Sequence, residues 1–176
     1  VDPLSLKGRK VIMLVEEGYE DLEFWYPKIR LMEEGAEIVV AGREKRPYPS
    51  KHGYEADVDA TLSEVDPARY DALIIPGGVK CPDRLRRYKE VLELVKEMDK
   101  AGKIIASICH GPWVLISAGI LKGRRATSYF SIRDDMVNAG AAYVDDPVVV
   151  DGNLVTSRGP WDLPDFCRAI IQLLRV

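Results

Sequence analysis

Three cysteines and two histidines hold most of the nucleophilic chemistry available to this 176-residue chain: Cys81, Cys109, Cys167, His52 and His110. One of each stands side by side in Ala106-Ser107-Ile108-Cys109-His110-Gly111-Pro112-Trp113. The apolar, β-branched run ahead of Cys109 predicts a buried strand, and Trp113 to Ala118 predicts a helix stopped at Gly119. Cys109 then lies where a strand turns sharply into a helix. That geometry holds a nucleophile clear of its neighbours, with a helix N-terminus behind it to favour the thiolate. By type alone a buried cysteine is a small apolar residue; the turn and the adjoining histidine make Cys109 a candidate nucleophile. Cys167 shares a helical face with Phe166, Ile170 and Ile171 and reads as packing, whereas Cys81 precedes Pro82 in a loop and reads as exposed.

A cysteine nucleophile needs a base or an electropositive setting. Papain-like proteases, glutamine amidotransferases and α/β-hydrolases place the catalytic histidine well after the nucleophile. No histidine follows His110, so those intrachain triads are excluded. The base is then His110, His52 or a carboxylate. His110 comes first by position, and His52, in Ser50-Lys51-His52-Gly53, reads as solvent-facing. A histidine base is oriented by a carboxylate, for which Glu16, Glu17, Glu20, Asp21 and Asp83 are the candidates. Acids also favour helix N-termini, and Asp21 reads as a cap. Gly77-Gly78 lacks the rest of a nucleotide-binding fingerprint. Its better use is a backbone N–H that joins the N–H of His110 in an oxyanion hole.

The elements that must position these groups follow from periodicity. Continuous apolar runs at Lys10 to Val15, Ala36 to Ala41 and Ala72 to Ile75 predict strands buried on both faces. Between the first two, Leu22, Trp25, Ile29 and Met32 recur at helical spacing and predict the inward face of a helix that Pro27 kinks or starts. Arg43 to Gly53 is a polar surface excursion, Val58 to Leu62 a short strand, and Asp66-Pro67 the start of a brief helix. Pro82 to Ala101 reads as one long amphipathic helix. Beyond Gly119 come a strand at Ala126 to Tyr129, a helix at Ile132 to Asn138, a hairpin about Asp151-Gly152-Asn153 and a closing helix from Leu163 to Leu174. This alternation predicts one α/β domain over residues 1–176, with a mostly parallel sheet covered on both faces. The loops at Glu16 to Asp21, Gly77 to Asp83 and Cys109-His110 would meet at the carboxyl ends of its strands.

Composition narrows the function classes. Apolar residues make up 47% and charged residues 30%, an ordinary globular balance. A net charge of −3 gives no reason to expect nucleic acid. No apolar run approaches the ~18 residues of a membrane span, and Val1-Asp2-Pro3-Leu4 lacks the layout of a signal peptide. Three widely spaced cysteines without zinc-ligand spacing point to reduced thiols in the cytoplasm, with no metal and no cofactor.

The motifs together resemble the PfpI/ThiJ family of intracellular proteases and glyoxalases. The likeness rests on Ala106 to Pro112, on Pro76-Gly77-Gly78 and on Gly18-Tyr19-Glu20-Asp21. It continues through Ile116-Ser117-Ala118-Gly119, Thr127-Ser128-Tyr129, Asp134-Asp135-Met136 and Val148 to Asn153. It implies a flavodoxin-like three-layer sandwich with Cys109 on a nucleophile elbow and His110 beside it. It also implies Glu20 as the carboxyl sharing a proton with the sulfur, and Gly78 as the oxyanion-hole glycine. A homo-oligomer is implied too, a dimer or a hexamer of dimers, in which a second subunit completes a Cys-His-acid triad. Lys80-Cys81-Pro82-Asp83 departs from that pattern by one extra residue and by Asp83 in place of a glutamate. Trp161, in a segment bordering the site, is a second departure. Two activities follow from the resemblance. One is a cysteine hydrolase of peptides or amides, with His110 as base and Asp83 of another subunit orienting it. The other is a cofactor-free glyoxalase or deglycase of methylglyoxal-type aldehydes, with Glu20 or His110 moving the proton. A non-enzymatic stress protein, sensing oxidation at Cys109 or acting as a holdase, is the third reading.

Overall fold

Strands that are apolar on both faces need cover from both sides, and the computed structural model, which describes residues 4–175, is built that way. Val1-Asp2-Pro3, read above for a leader layout, lies outside the described residues. In chain order the strands are β1 (Lys10–Leu14), β2 (Glu37–Gly42), β3 (Tyr48–Pro49), β4 (Glu55–Ala56), β5 (Ala60–Thr61) and β6 (Ala72–Ile75). After them come β7 (Ile104–Ile108), β8 (Arg125–Ala126), β9 (Ala142–Tyr143), β10 (Val148–Asp151) and β11 (Leu154–Ser157). Seven of them form one sheet in the order β10-β11-β7-β6-β1-β2-β5, parallel except for the β10–β11 hairpin. The central strands β6 and β7 have every residue buried. The predicted α/β architecture, a flavodoxin-like sandwich, is the one observed.

The helices are α1 (Asp21–Glu33), α2 (Lys80–Leu85), α3 (Lys89–Lys100), α4 (Pro112–Ala118), α5 (Arg133–Asn138) and α6 (Leu163–Arg175). α1 packs with α6 in one layer, and α4 packs with α2 and α3 in another. Four expectations need correction. The predicted long helix is two, because the chain turns at Arg86-Arg87 and restarts with extended Tyr88 as the N-cap of α3. On one straight helix Leu85 and Val91 would point about 120° apart, on different faces; the turn re-phases the chain so that both are buried. Cys81, expected in an exposed loop, lies inside α2 with no accessible surface. The strand expected through Tyr129 stops at Ala126, since the next backbone N–H groups bond to Thr156 Oγ1 and to the Cys109 carbonyl.

The fourth correction reaches the site. Leu22, Ile29 and Met32, expected inside, are exposed, and Trp25 is only half-buried. The buried face of α1 is Glu23, Phe24, Pro27 and Leu31. Pro27 neither starts nor ends the helix. α1 carries two apolar stripes, and the sheet buries the one that includes a glutamate.

Candidate active site

The elbow is built from local constraints. Cys109 follows β7 directly and has φ 64, making it the one non-glycine residue with positive φ among the described residues. A left-handed conformation costs an L-residue about 1–2 kcal/mol, and the surroundings hold it there. The Cys109 N–H donates to the Ser157 carbonyl at 3.1 Å and its carbonyl accepts from Tyr129 at 2.9 Å. Gly111 completes the bend, where a Cβ would come within 2.4 Å of Ser107 Oγ and 2.8 Å of the Ile75 carbonyl. Only glycine lets the turn press this closely on the ends of β6 and β7.

Gly77 and Gly78 close the opposite side. A Cβ on Gly77 would lie 2.3 Å from Glu23 Oε1 and 2.6 Å from Cys109 Cβ, so the loop passes between carboxyl and nucleophile. Gly78 has φ +86, and a Cβ there would meet the Gly18 carbonyl at 2.4 Å. This conformation aims the Gly78 N–H at the Cys109 sulfur, where the His110 N–H joins it. Two backbone donors therefore converge on the Cys109 sulfur, which lowers the cost of negative charge there.

The carboxyl beside the thiol is Glu23, one turn along α1 from the residue the motif suggested. Glu20 instead caps α1: its Oε2 accepts from the N–H groups of Leu22 at 2.8 Å and Glu23 at 3.1 Å. Asp21 is therefore not the cap; it accepts from Ser50 Oγ at 2.7 Å and meets His52 Nδ1 at 2.9 Å. Glu20 does line the cleft. Glu23 has no accessible surface, its Oε1 accepts from the Gly77 N–H at 2.9 Å, and its carboxyl interacts with the Cys109 thiol. Its other oxygen, Oε2, is buried without a well-formed hydrogen bond. Burial, with the Glu20 charge adding to it, pushes the Glu23 carboxyl up to about 8, so it is a neutral acid at pH 7. Burial and the nearby Glu23 charge push the Cys109 thiol up as well, outweighing the Gly78 and His110 N–H groups. The short helix behind Cys109 does not by itself yield a thiolate. The two groups hold their protons as a coupled pair.

His110 Nδ1 lies 3.3 Å from Cys109 Sγ and Nε2 lies 3.3 Å from Ser131 Oγ. With Nε2–H donating to Ser131, the Nδ1 lone pair faces the thiol. Burial pushes the imidazole down from its ordinary value, with the Asp135 charge opposing, so the ring is neutral at pH 7. Tyr129 stacks on it at 5.1 Å and Trp113 meets it edge-on at 5.0 Å. Among the described residues no carboxylate hydrogen-bonds this ring. Asp83 sits on α2 and pairs with Arg87 at 2.5 Å, outside the residues that line the cleft. Of the expected set, then, Cys109, His110 and Gly78 come together, Glu20 is at the rim and Asp83 is away from it.

The cleft above Cys109 has a volume of about 660 Å³. Tyr129, Pro160 and Trp161 form an apolar wall, with Trp161 still 62% exposed, and Lys51 and Lys80 stand on the rim. Glu23, Ser131 and Lys51 were missed in the sequence. The signal for Glu23 was its spacing of three from Glu20, which puts both acids on one helical face.

The sequence and the fold have known relatives. Residues 9–173 match the model of the DJ-1/PfpI family. "Deglycase PfpI" of Pyrococcus furiosus is 49% identical over 166 residues, covering 94% of this chain and 99% of that protein. "Putative cysteine protease YraA" of Bacillus subtilis is 42% identical over 172 residues, covering 96% and 99%. The crystal structure of Drosophila melanogaster DJ-1beta superposes with a TM-score of 0.91 at 30% identity, covering 96% of this chain and 91% of that one. The chain belongs to the DJ-1/PfpI family.

Proposed function

We propose that this protein is a cofactor-independent enzyme of 2-oxoaldehydes and their adducts, a glyoxalase or deglycase with Cys109 as nucleophile. The observation that carries the reading is the Glu23 carboxyl, neutral at pH 7 and packed against the Cys109 thiol. A proton shuttle works best with an acidity near the working pH. Cys109 gives its proton to Nδ1 of His110, and the sulfur adds to the aldehyde carbon. Charge develops on that carbonyl oxygen, facing the N–H groups of Gly78 and His110. Glu23 donates its proton to the oxygen and, now a carboxylate, removes the hydrogen from the same carbon. The proton returns to the adjacent ketone carbon while the first hydroxyl passes its own to the ketone oxygen, leaving a 2-hydroxy thioester. Water hydrolyses it to a 2-hydroxy acid and the free thiol. The deglycase name of the Pyrococcus relative supports the reading.

Amide hydrolysis is the second reading, supported by the 3.3 Å contact between Cys109 and His110 and by the name of the Bacillus relative. It needs a carboxylate to orient His110, which Asp83 of a second copy would supply. The exposed stripe Leu22, Tyr26, Ile29 and Met32 on α1 supports a homo-oligomer. Three cysteines without a disulfide fit a reducing cytoplasm. The deciding experiment is a parallel assay of methylglyoxal and peptide substrates with Cys109, Glu23 and Asp83 variants. Lactate that depends on Cys109 and Glu23, with Asp83→Asn active, supports the first reading. Peptide hydrolysis that fails with Asp83→Asn, and no lactate, would replace it by the second.

A further inference from the structure

The charged groups around the cleft differ in what holds them. Glu17 meets Arg84 at 2.9 Å, Arg46 at 3.1 Å and Lys80 at 3.3 Å. The Glu20 carboxylate is taken by the first amides of α1, and Glu23 is neutral. Lys51 lines the same cleft and has no ion-pair partner among the described residues. Its charge acts on both reacting groups, lowering the acid range of Glu23 and of His110.

The backbone that carries Lys51 is fixed. Its N–H donates to the Tyr19 carbonyl at 2.8 Å, and Ser50 Oγ accepts from the N–H groups of His52 at 3.1 Å and Tyr54 at 2.9 Å while donating to Asp21. His52 is tied to Asp21 as well. The Ser50–Tyr54 turn is thereby latched to the start of α1, the helix that supplies Glu23. A cation without an ion-pair partner among the described residues, carried at the rim of the Cys109 cleft by a turn whose backbone is fixed, is a docking point for an anionic group.

We propose that Lys51 selects substrates that carry a carboxylate, so that acidic 2-oxoaldehydes are preferred over neutral ones. The proposal rests on the 2-oxoaldehyde reading above. One ammonium beside an apolar wall of Tyr129, Pro160 and Trp161 suits a monoanionic carboxylate on a short carbon chain. The reaction is the same internal transfer, with the aldehyde carbon oxidised, the ketone carbon reduced and water consumed, and it yields a 2-hydroxy diacid.

The test compares 4,5-dioxopentanoate with its methyl ester in the wild type, Lys51→Gln and Lys51→Arg. The acid should be favoured about five- to tenfold in kcat/KM at low ionic strength, mainly through KM. The preference should shrink with salt, vanish in Lys51→Gln and persist in Lys51→Arg. Equal kcat/KM for acid and ester in the wild type, or a preference untouched by Lys51→Gln, overturns the proposal. Should no 2-oxoaldehyde be turned over, the enzymatic reading fails, and binding decides the role of Lys51. 4-Oxopentanoate and 4-oxopentanamide are then titrated into the intact protein by NMR. Tighter binding of the acid, lost in Lys51→Gln, sustains the anion site, and equal binding of the two rejects it.

Discussion

Glu20 and Glu23 differ by one helical turn and do different work, which makes them separable by measurement. Glu20→Ala removes a side-chain cap from α1 and should lower stability in denaturant titrations by about 1 kcal/mol, with kcat little changed. Glu23→Gln should lower kcat for methylglyoxal by about 10²–10⁴-fold while the protein stays folded. Glu23 also sets a pH dependence. Its folded value, raised to about 8 from 4.5, means the folded state holds a proton that the unfolded state releases. Stability therefore falls as pH rises from 4.5 to 8 and levels off above. Because Glu23 has no accessible surface, the loss is of order a few kcal/mol, and Glu23→Gln should flatten the profile in pH-resolved unfolding. Turnover, which needs the protonated carboxyl, should decline above pH 8.

At the scale of elements, the site depends on how closely a loop and a helix approach the end of β7. The Gly77 loop runs between Glu23 and Cys109 with no room for a methyl group. Gly77→Ala should force the two apart, cost about 1–3 kcal/mol by overpacking and remove most activity. Far-UV circular dichroism and kinetics on the same sample check this; an active, fully stable Gly77→Ala protein would show that the loop yields more easily than its contacts imply. The strand-to-helix turn at Cys109 and the turn at Gly77-Gly78 were legible because each lies within one contiguous motif whose turn chemistry is local. The split between α2 and α3 was not, because nothing at Arg86-Arg87-Tyr88 is a strong helix breaker, and only the need to bury both Leu85 and Val91 on the sheet demands it.

For the whole molecule, the unburied stripe of α1 is the consequential feature. Ile29 and Leu22 are 61% and 56% exposed on the helix that begins at the active site. Burial of such side chains on association is worth about 1.5–3 kcal/mol each, so the protein should sediment as an oligomer and Ile29→Glu should shift it toward monomer. If a second copy's Asp83 orients His110, that variant and Asp83→Asn should depress peptide hydrolysis alike. Monomeric wild type, with peptide turnover intact, would remove any role for a shared site. Among the described residues no helix is long and apolar enough to cross a membrane.

The turns that carry Cys109, His110 and Gly78 were legible in the amino-acid sequence itself, along with the parallel sheet that presents them. Strand periodicity, a Gly-Pro turn and a count of two histidines are properties of the chain, independent of how it packs. The choice between Glu20 and Glu23 was not of that kind. A helix with two apolar stripes can present either to a sheet, and the stronger-looking stripe, Leu22 to Met32, would leave Glu23 in solvent. Tertiary packing turned the other face inward, and burial there made an ordinary glutamate a neutral acid against the nucleophile. The same packing left Lys51 at the cleft rim without an ion-pair partner among the described residues, because pairing depends on distances between residues remote in sequence. Those contacts exist only once β1, α1 and the Gly77 loop have come together.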